Sequence, residues 1–320
     1  MQLFFKDKTI ADLADIKGAA VALGEFDSMH LAHTEIVKKA VDYAQKGGYK
    51  AVVYMFSNNP LEVIKGVGCK YINSLEKRMK ILFSMGVDII AAEKFDENIM
   101  NISPEDFVNG YLAKKLRAKY VVAGYNYRFG KGGAGDTDTL KRLCDINGIS
   151  LSVVPQITYM GERISSTKIR ELISKGDVQT ASKFMGRYYS LCGEVICGNQ
   201  IGGSRLGFPT ANIEIPQGYV LPKCGVYISR AVLNGSGYPS VTNIGPKPTV
   251  CEGEAYIENI ETHIDAKLGN LYGEKIEIEF YDFIREIVKF DTLDELSLQI
   301  ENDREKMRSF FEKGDQNEKL

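Results

Sequence analysis

The chain is poor in several features that would indicate particular classes of protein. Its 320 residues include six cysteines, but no two form a Cys-x-x-Cys pair, so the usual signature of a structural zinc site is missing. No apolar run is long enough for a membrane-spanning helix. The formal net charge of -2 gives no overall field for binding nucleic acid. We therefore expect a cytoplasmic protein with reduced thiols and neither a nucleic-acid nor a membrane partner.

Histidine is also scarce, and two of the three histidines lie close together. Residues 19–26 form a short apolar run that predicts a buried parallel strand, and residues 34–43 have the apolar spacing of a helix. His30 and His33 then lie on one face at the start of that helix. Free N–H groups and the helix dipole favour anions there, so the pattern predicts a triphosphate site, although two such histidines can also simply cap a helix.

A second polar cluster lies within residues 161–170. Ser165, Ser166 and Thr167 come at the predicted start of a helix, where hydroxyl groups cap free N–H groups or bind phosphate oxygens. Lys168 and Arg170 supply positive charge for a departing pyrophosphate. Taken alone, the segment is better explained as an ordinary helix cap, and the phosphate interpretation depends on the histidine pair.

Strand and helix patterns alternate between these two clusters. The alternation predicts an α/β fold with a doubly wound, Rossmann-like parallel sheet, whose ligand cleft lies at the carboxyl ends of the strands. Residues 130–135 fit Gly-x-Gly-x-x-Gly but do not directly follow a strand, so they do not indicate a dinucleotide site. The predicted strands are residues 51–56, 87–91, 120–124 and 151–154, and the predicted helices are residues 74–85, 104–116 and 137–147.

The pattern changes near residue 186. Short strand-like runs separated by Gly, Pro and Asn predict an antiparallel β-barrel, which is followed by an amphipathic C-terminal helix. We therefore divide the chain into an N-terminal domain (1–186), a barrel domain (187–313) and a charged tail (314–320). The predicted barrel strands are residues 191–197, 225–233, 238–244, 256–264 and 275–284.

Several segments, taken in series, resemble the bacterial family of bifunctional riboflavin kinase and FMN adenylyltransferase, also called FAD synthetase. The resemblance covers about residues 21–310. In the first half, residues 30–33 correspond to the His-x-Gly-His signature of nucleotidylyltransferases, with further matches at residues 58–60, 124–130 and 164–170. The second half follows the riboflavin kinase module at residues 207–212, 222–227, 243–249, 261–263 and 271–273.

The resemblance implies which N-terminal residues handle ATP. It assigns His30 and His33 to catalysis by the adenylyltransferase half. The chain departs from the family pattern at Ser28, Ala32 and Asn126, so two alternatives stay open: a riboflavin kinase with a silent N-terminal domain, and a non-catalytic flavin-binding regulator. The residues expected to contact ATP and its phosphates are Gly24, Phe26, Asp27, Asn126, Arg128, Ser165, Ser166, Thr167, Lys168 and Arg170.

For the kinase half, the resemblance implies a catalytic base and a metal site. Glu261 matches the family's catalytic glutamate, and Thr210 and Asn212 are expected to hold Mg²⁺ through a hydroxyl and an amide oxygen. Gly207, Phe208 and Pro209 are expected to contact the phosphates of ATP.

The two implied reactions place different demands on the protein. The phosphate of FMN is already anionic near neutral pH, so its attack on ATP needs charge neutralisation but no general base. The ribityl hydroxyl of riboflavin is neutral, so a carboxylate such as Glu261 is useful for removing its proton. We therefore expect a transferase that makes FMN from riboflavin and FAD from FMN, with ATP as co-substrate and Mg²⁺ as cofactor.

Overall fold

A computed structural model describes residues 1–6, 16–66, 68, 70–197, 210–246 and 258–314. Contacts between Cα atoms divide the chain into two compact units, Met1–Ser166 and Thr167–Leu320. Each unit has its own sheet. Every helix in the described ranges is too short or too polar to cross a lipid bilayer.

The first unit is built on a six-stranded sheet. Its strands are β1 (Gln2–Phe5), β2 (Ala19–Leu23), β3 (Lys50–Phe56), β4 (Ile89–Glu93), β5 (Ala118–Gly124) and β6 (Ser150–Val154). The spatial order is β1-β4-β3-β2-β5-β6. All neighbours are parallel except β1, which joins the edge antiparallel to β4. The order of the parallel strands reverses between β2 and β5, which confirms the predicted doubly wound, Rossmann-like sheet.

Helices cover both faces of this sheet, which explains the continuous apolar run of β2. Val21 and Leu23 pack into one core cluster, whereas Ala20 and Ala22 pack into the cluster on the other face. A strand that is buried on both faces needs apolar residues at every position. The helices of this unit are α1 (Leu31–Gly47), α2 (Pro60–Lys65), α3 (Leu75–Ser84), α4 (Glu97–Met100), α5 (Pro104–Asp106), a π-helix (Phe107–Lys115) that continues α5, and α6 (Thr137–Ile146).

Helix starts in this unit coincide with side chains that accept a backbone hydrogen bond. Ser74 caps α3 by accepting from Lys77 N at 3.0 Å, and Asp136 caps α6 by accepting from Thr139 N at 2.9 Å. Helix α1 ends at Gly48, whose φ of 64° is the left-handed conformation that favours glycine. A hairpin of β7 (Thr158–Tyr159) and β8 (Glu162–Arg163) precedes the last segment of the unit.

The second unit contains a closed antiparallel barrel, as predicted. Its strands are β9 (Tyr189–Ile196), β10 (Thr210–Glu214), β11 (Gly225–Leu233), β12 (Ser236–Pro246), β13 (Glu258–Ile264) and β14 (Lys275–Arg285), and they close in the order β10-β13-β12-β11-β14-β9. The helices are α7 (Ser166–Ser174), which starts at the last residue of the first unit, α8 (Val178–Met185) and α9 (Leu293–Gly314). The sequence patterns did not predict β10.

Charged side chains fasten α9 to the barrel. Asp265, just after β13, accepts hydrogen bonds from Arg308 Nε at 2.7 Å and Arg304 Nη2 at 2.9 Å. The hydrogen bond from Arg308 is the largest cause that holds the pKa of the Asp265 carboxyl far below its usual range, and the bond from Arg304 adds to it. Arg285 at the end of β14 donates hydrogen bonds from Nε and Nη2 to the carboxylate of Asp303, which is 2% exposed. The predicted amphipathic helix therefore docks by ion pairs as well as by its apolar stripe.

Helices α7 and α8 group with the barrel by their contacts, although the predicted division at residue 186 assigns them to the N-terminal domain. Ser182 Oγ on α8 accepts a hydrogen bond from Tyr189 N at 3.2 Å, and Phe184 and Met185 are buried. Gly176 joins the two helices with φ of 84°, and a Cβ there would lie 3.1 Å from Tyr227 Oη. The division at residue 186 stays a prediction about which segments fold together.

Candidate active sites

A cavity of about 600 Å³ opens at the carboxyl ends of the parallel strands in the first unit. Its walls include the ends of β2, β3, β5 and β6 and the start of α1. The cavity lies where the strand order reverses, which is the position at which doubly wound sheets bind ligands. His30, His33, Ala32, Gly24 and Asn126 all line it.

The two histidines form a stacked pair at the start of α1. Their ring centroids are 3.7 Å apart, with 14° between the ring planes. His30 is the N-cap residue, and its Nδ1 accepts a hydrogen bond from His33 N at 3.1 Å. Because Nδ1 is an acceptor, a neutral His30 ring carries its proton on Nε2 and can donate from there. A neutral donor beside the amide end of a helix suits phosphate oxygens.

The turn before α1 places its predicted residues differently. Gly24 lines the cavity, whereas Phe26 is fully buried with its ring 5.1 Å from that of His33. A Cβ at Gly24 would lie 3.0 Å from the Phe26 ring, so this position has little room for a side chain. Asp27 is buried and accepts from Ile72 N at 3.1 Å, which fastens the segment before α3 to the turn. Contacts of Phe26 and Asp27 with ATP stay predictions.

The second predicted cluster begins on the cavity wall. Ser165 and Ser166 line the cavity, and Ser166 Oγ lies 2.9 Å from Ser28 Oγ. Ser28, one of the departures from the family pattern, therefore ties the histidine turn to the start of α7. Thr167, Lys168 and Arg170 follow on α7 and belong to the second unit, so their roles with pyrophosphate stay predictions.

The loop after β5 supplies two further predicted residues. Asn126 and Arg128 both line the cavity, and Arg128 Nη1 lies 3.8 Å from Asp136. Sequence reasoning missed Arg163 on β8, which also lines the cavity with its guanidinium 5.6 Å from the centre of the Tyr125 ring. The sequence feature that could have indicated Arg163 is its position within the polar cluster of residues 161–170.

An aromatic wall forms another part of the cavity, and the sequence patterns did not predict it. The rings of Phe56 and Phe95 are 5.0 Å apart, those of Phe107 and Phe129 are 5.4 Å apart, and that of Tyr127 stacks 5.8 Å from Phe129. All five side chains line the cavity. They come from four separate segments of the chain, with Tyr127 and Phe129 sharing the loop after β5, so no local periodicity marks them. The cavity thus joins a polar, phosphate-type region to an apolar surface suited to a planar ring system.

The barrel gathers the described kinase residues of the prediction on one face of two neighbouring strands, β10 and β13. Glu261 on β13 pairs directly with Asn212 on β10 and with Asn243 on β12, and Thr210 pairs with His263 two positions away. Directly paired residues share a face of the sheet, so Thr210, Asn212 and Glu261 are neighbours. Gly207, Phe208 and Pro209 lie outside the described residues.

Asn259, which sequence reasoning did not single out, contacts the predicted catalytic base. Its Nδ2 donates a hydrogen bond to Glu261 Oε1 at 2.6 Å, so one carboxylate oxygen is held while the other can face a substrate. Thr262, the next residue along β13, faces the opposite side of the strand and points into the barrel. Its hydroxyl lies 2.9 Å from that of Thr242 in a fully buried network. The i, i+2 spacing of Asn259 and Glu261 on a strand was the available signal.

Hydroxyl, amide and carboxylate oxygens are the ligands that hard divalent cations prefer. Thr210, Asn212 and Glu261 together therefore fit a divalent ion, although the described residues contain no cluster of three or more His, Cys, Asp or Glu side chains suited to a metal. A sheet cavity with phosphate-type groups and a barrel face with a carboxylate among oxygen donors define a two-site transferase that uses nucleotides.

Comparisons with known proteins identify the family. Residues 12–168 match the FAD synthetase family and residues 185–311 match the riboflavin kinase family. The chain is 34% identical to the bifunctional riboflavin kinase/FMN adenylyltransferase of Listeria monocytogenes and 33% identical to that of Bacillus subtilis, over 92% of both chains in each case. The Escherichia coli K12 protein of the same name is 29% identical over 92% of this chain and 93% of its own. The chain belongs to the bifunctional riboflavin kinase/FMN adenylyltransferase family.

A solved structure has the same fold over almost the whole chain. The crystal structure of a Streptococcus pneumoniae protein described as a macrolide-efflux protein superposes with a TM-score of 0.84 and 28% identity, covering 93% of this chain and 97% of that one. The likeness extends over both units, so both proteins carry the parallel sheet and the barrel in a single chain.

Proposed function

We propose that this chain transfers the γ-phosphoryl group of ATP to riboflavin, giving FMN and ADP, and the adenylyl group of a second ATP to FMN, giving FAD and pyrophosphate. One observation supports the proposal: the cavity of the first unit is lined by His30, His33, Ser165 and Ser166, and strand pairing in the barrel sets Glu261 beside Asn212. The matches of both halves to their families support the same assignment.

The first unit suits adenylyl transfer. The attacking phosphate of FMN is already an anion, so the site must neutralise charge and orient the reactants. His30, Ser165 and Ser166 line the cavity, and the His30 Nε2–H group, the amide end of α1 and the two serine hydroxyls are proposed to bind phosphate oxygens. The aromatic wall of Phe56, Phe107 and Phe129 supplies an apolar surface for the flavin ring.

The barrel suits phosphorylation of an alcohol. Glu261 is proposed to take the proton of the ribityl hydroxyl as its oxygen attacks the γ-phosphorus of ATP. Thr210 and Asn212 are proposed to hold Mg²⁺, which would neutralise charge on the phosphates. We place both activities in the cytoplasm, with ATP, riboflavin and FMN as the partners.

The two alternatives, a kinase with a silent N-terminal domain and a non-catalytic regulator, are not favoured. The residues that depart from the family pattern leave the first site assembled: Ala32 and Asn126 line the cavity, and Ser28 bonds to Ser166.

The test is to incubate the purified protein with ATP, Mg²⁺ and either riboflavin or FMN, and to separate the flavins by chromatography. The wild type should yield FMN and FAD from riboflavin, and FAD from FMN. Glu261→Gln should lose FMN formation by two or more orders of magnitude, the scale of a lost general base, and still convert FMN to FAD. Loss of both reactions in that variant would show that the two sites are not separable.

A further inference from the structure

One side chain holds the loop after β4 to the end of β3. Asn58, two residues beyond β3, accepts a hydrogen bond from Phe95 N through Oδ1 at 2.8 Å and donates one from Nδ2 to Phe95 O at 3.0 Å. We call this pair of bonds the Asn58 clamp. Phe95 is partly exposed and lines the cavity of the first unit. Because the clamp occupies its main-chain N–H and C=O, the side chain is the part of Phe95 left to contact a ligand.

The clamp extends the pairing of β3 and β4 to where the main chain turns away. Ser57 N still donates to Glu93 O at 2.8 Å, as in the ladder of the two strands. The main chain then turns into α2, and Asn59 N donates to the hydroxyl of Tyr71 at 2.9 Å. A side-chain amide offers the same donor and acceptor as a peptide group. The amide of Asn58 therefore stands in for a main-chain pair.

The clamp also fixes where the Phe95 ring lies. That ring meets Phe56 nearly edge-on, with centroids 5.0 Å apart and 76° between the ring planes. Directly after Phe95, Asp96 caps α4 by accepting from Asn98 N at 2.9 Å and Ile99 N at 3.1 Å. The main chain is thus held at Phe95 and at the next residue. A ring that is already in place lowers the ordering cost of binding a ligand against it.

We propose that Asn58 is a positioning residue for the flavin: by holding Phe95, it presets one part of the aromatic wall against which the ring system of FMN packs. This inference rests on the proposed adenylyltransferase function of the same cavity. Asn58 is not among the described residues that line the cavity, so it acts through Phe95. The flavin ring takes no part in bond making at phosphorus, so packing against it stabilises the ground state and the transition state equally. The clamp therefore contributes to FMN affinity and not to the chemical step.

Asn58→Ala and the matched control Asn101→Ala test the proposal. Each change removes a side-chain amide that donates to a main-chain carbonyl beside α4, but Asn101 donates to Glu97 O at 2.8 Å and not to Phe95. In Asn58→Ala the KM for FMN in FAD formation should rise about three- to tenfold, the effect of one aromatic contact. The values of kcat and of the KM for ATP should stay within about twofold of the wild type. Asn101→Ala should change none of these values more than about twofold, and an equal rise in its KM for FMN would overturn the proposal.

A double-mutant cycle with Phe95→Ala distinguishes positioning from general support of the loop. Phe95→Ala alone should raise the KM for FMN about three- to tenfold. Adding Asn58→Ala should raise it less than about twofold further, because the ring that the clamp holds is gone. Effects that multiply in full, or a wild-type KM for FMN in either single variant, would overturn the proposal.

Asn58→Asp provides a second test if Asn58→Ala does not fold. It keeps the acceptor for Phe95 N but places a carboxylate oxygen against Phe95 O, so the KM for FMN should again rise about three- to tenfold. A wild-type KM in this variant would overturn the proposal. Riboflavin phosphorylation by the same samples should keep its wild-type KM, because its proposed residues lie in the barrel. Failure of the wild type to convert FMN to FAD would instead refute the adenylyltransferase assignment itself.

Discussion

His30 has an observed structural task and a proposed catalytic one, and substitution can separate the two. Its Nδ1 caps α1 by accepting from His33 N at 3.1 Å, and its Nε2–H is the proposed donor to a phosphate. Alanine removes both groups. Asparagine supplies an acceptor oxygen at the N-cap position but no group that reaches as far as Nε2. His30→Asn should therefore keep the helix cap and lose the phosphate contact.

The structure sets the expected magnitudes. Loss of the cap costs about 1 kcal/mol of unfolding free energy. Loss of the ring stacked 3.7 Å from His33 costs about 0.5–1.5 kcal/mol more. His30→Ala should thus be destabilised by about 2 kcal/mol and His30→Asn by about 1 kcal/mol. Both should lower kcat for FAD formation by about 10²- to 10³-fold, the usual effect of deleting one donor to a developing charge.

The assay measures FAD formation from FMN and ATP, with riboflavin phosphorylation by the same sample as an internal control. The kinase rate should stay within about twofold of the wild type, because Glu261 and its neighbours lie in the barrel. Wild-type FAD formation by His30→Asn would refute the assignment of the imidazole to phosphate. An equal loss of both reactions would mean that the substitution acts through the fold.

Three further predictions concern the second unit. Asn259→Ala removes the donor to Glu261, so kcat/KM for riboflavin should fall about three- to tenfold. The rate of FAD formation from FMN should not change. Wild-type kcat/KM for riboflavin in this variant would exclude a positioning role of Asn259. Asp265→Asn should lower the unfolding free energy by about 2–3 kcal/mol at pH 7 in denaturant titrations. Because the pKa of Asp265 is depressed, its contribution is complete above about pH 4 and is lost as the pH falls further, so the wild type and variant should converge in acid; a constant difference would contradict this. A fragment of residues 167–320 should unfold at a higher temperature than a fragment of residues 187–320, because α8 covers part of the barrel. Circular dichroism measures both unfolding temperatures. Equal temperatures would support the division at residue 186.

Local patterns predicted the strands and helices whose buried residues recur at a regular spacing along the chain. The uninterrupted apolar run of β2 indicated a strand covered on both faces, and His30 and His33 lie together because a helix places residues three apart on one face. Strand β1 was missed because its four residues are stabilised by pairing with β4, which comes about 85 residues later. Such pairing leaves no local signal.

The candidate sites show the same limit at the level of side chains. Glu261, Thr210 and Asn212 were found through a resemblance of motifs, and strand register brings them side by side. Asn259 was missed because its importance comes from one hydrogen bond to Glu261.

The sequence by itself determined the two kinds of sheet and the helix start that carries His30 and His33, because backbone propensity belongs to short segments, and the resemblance of motifs named the oxygen donors proposed for a divalent ion. The tertiary structure alone decided which rings form the aromatic wall, which carboxylate oxygen of Glu261 is held, and which helices accompany the barrel. These features depend on distances between residues far apart in the chain, and only packing of the folded units brings such residues together.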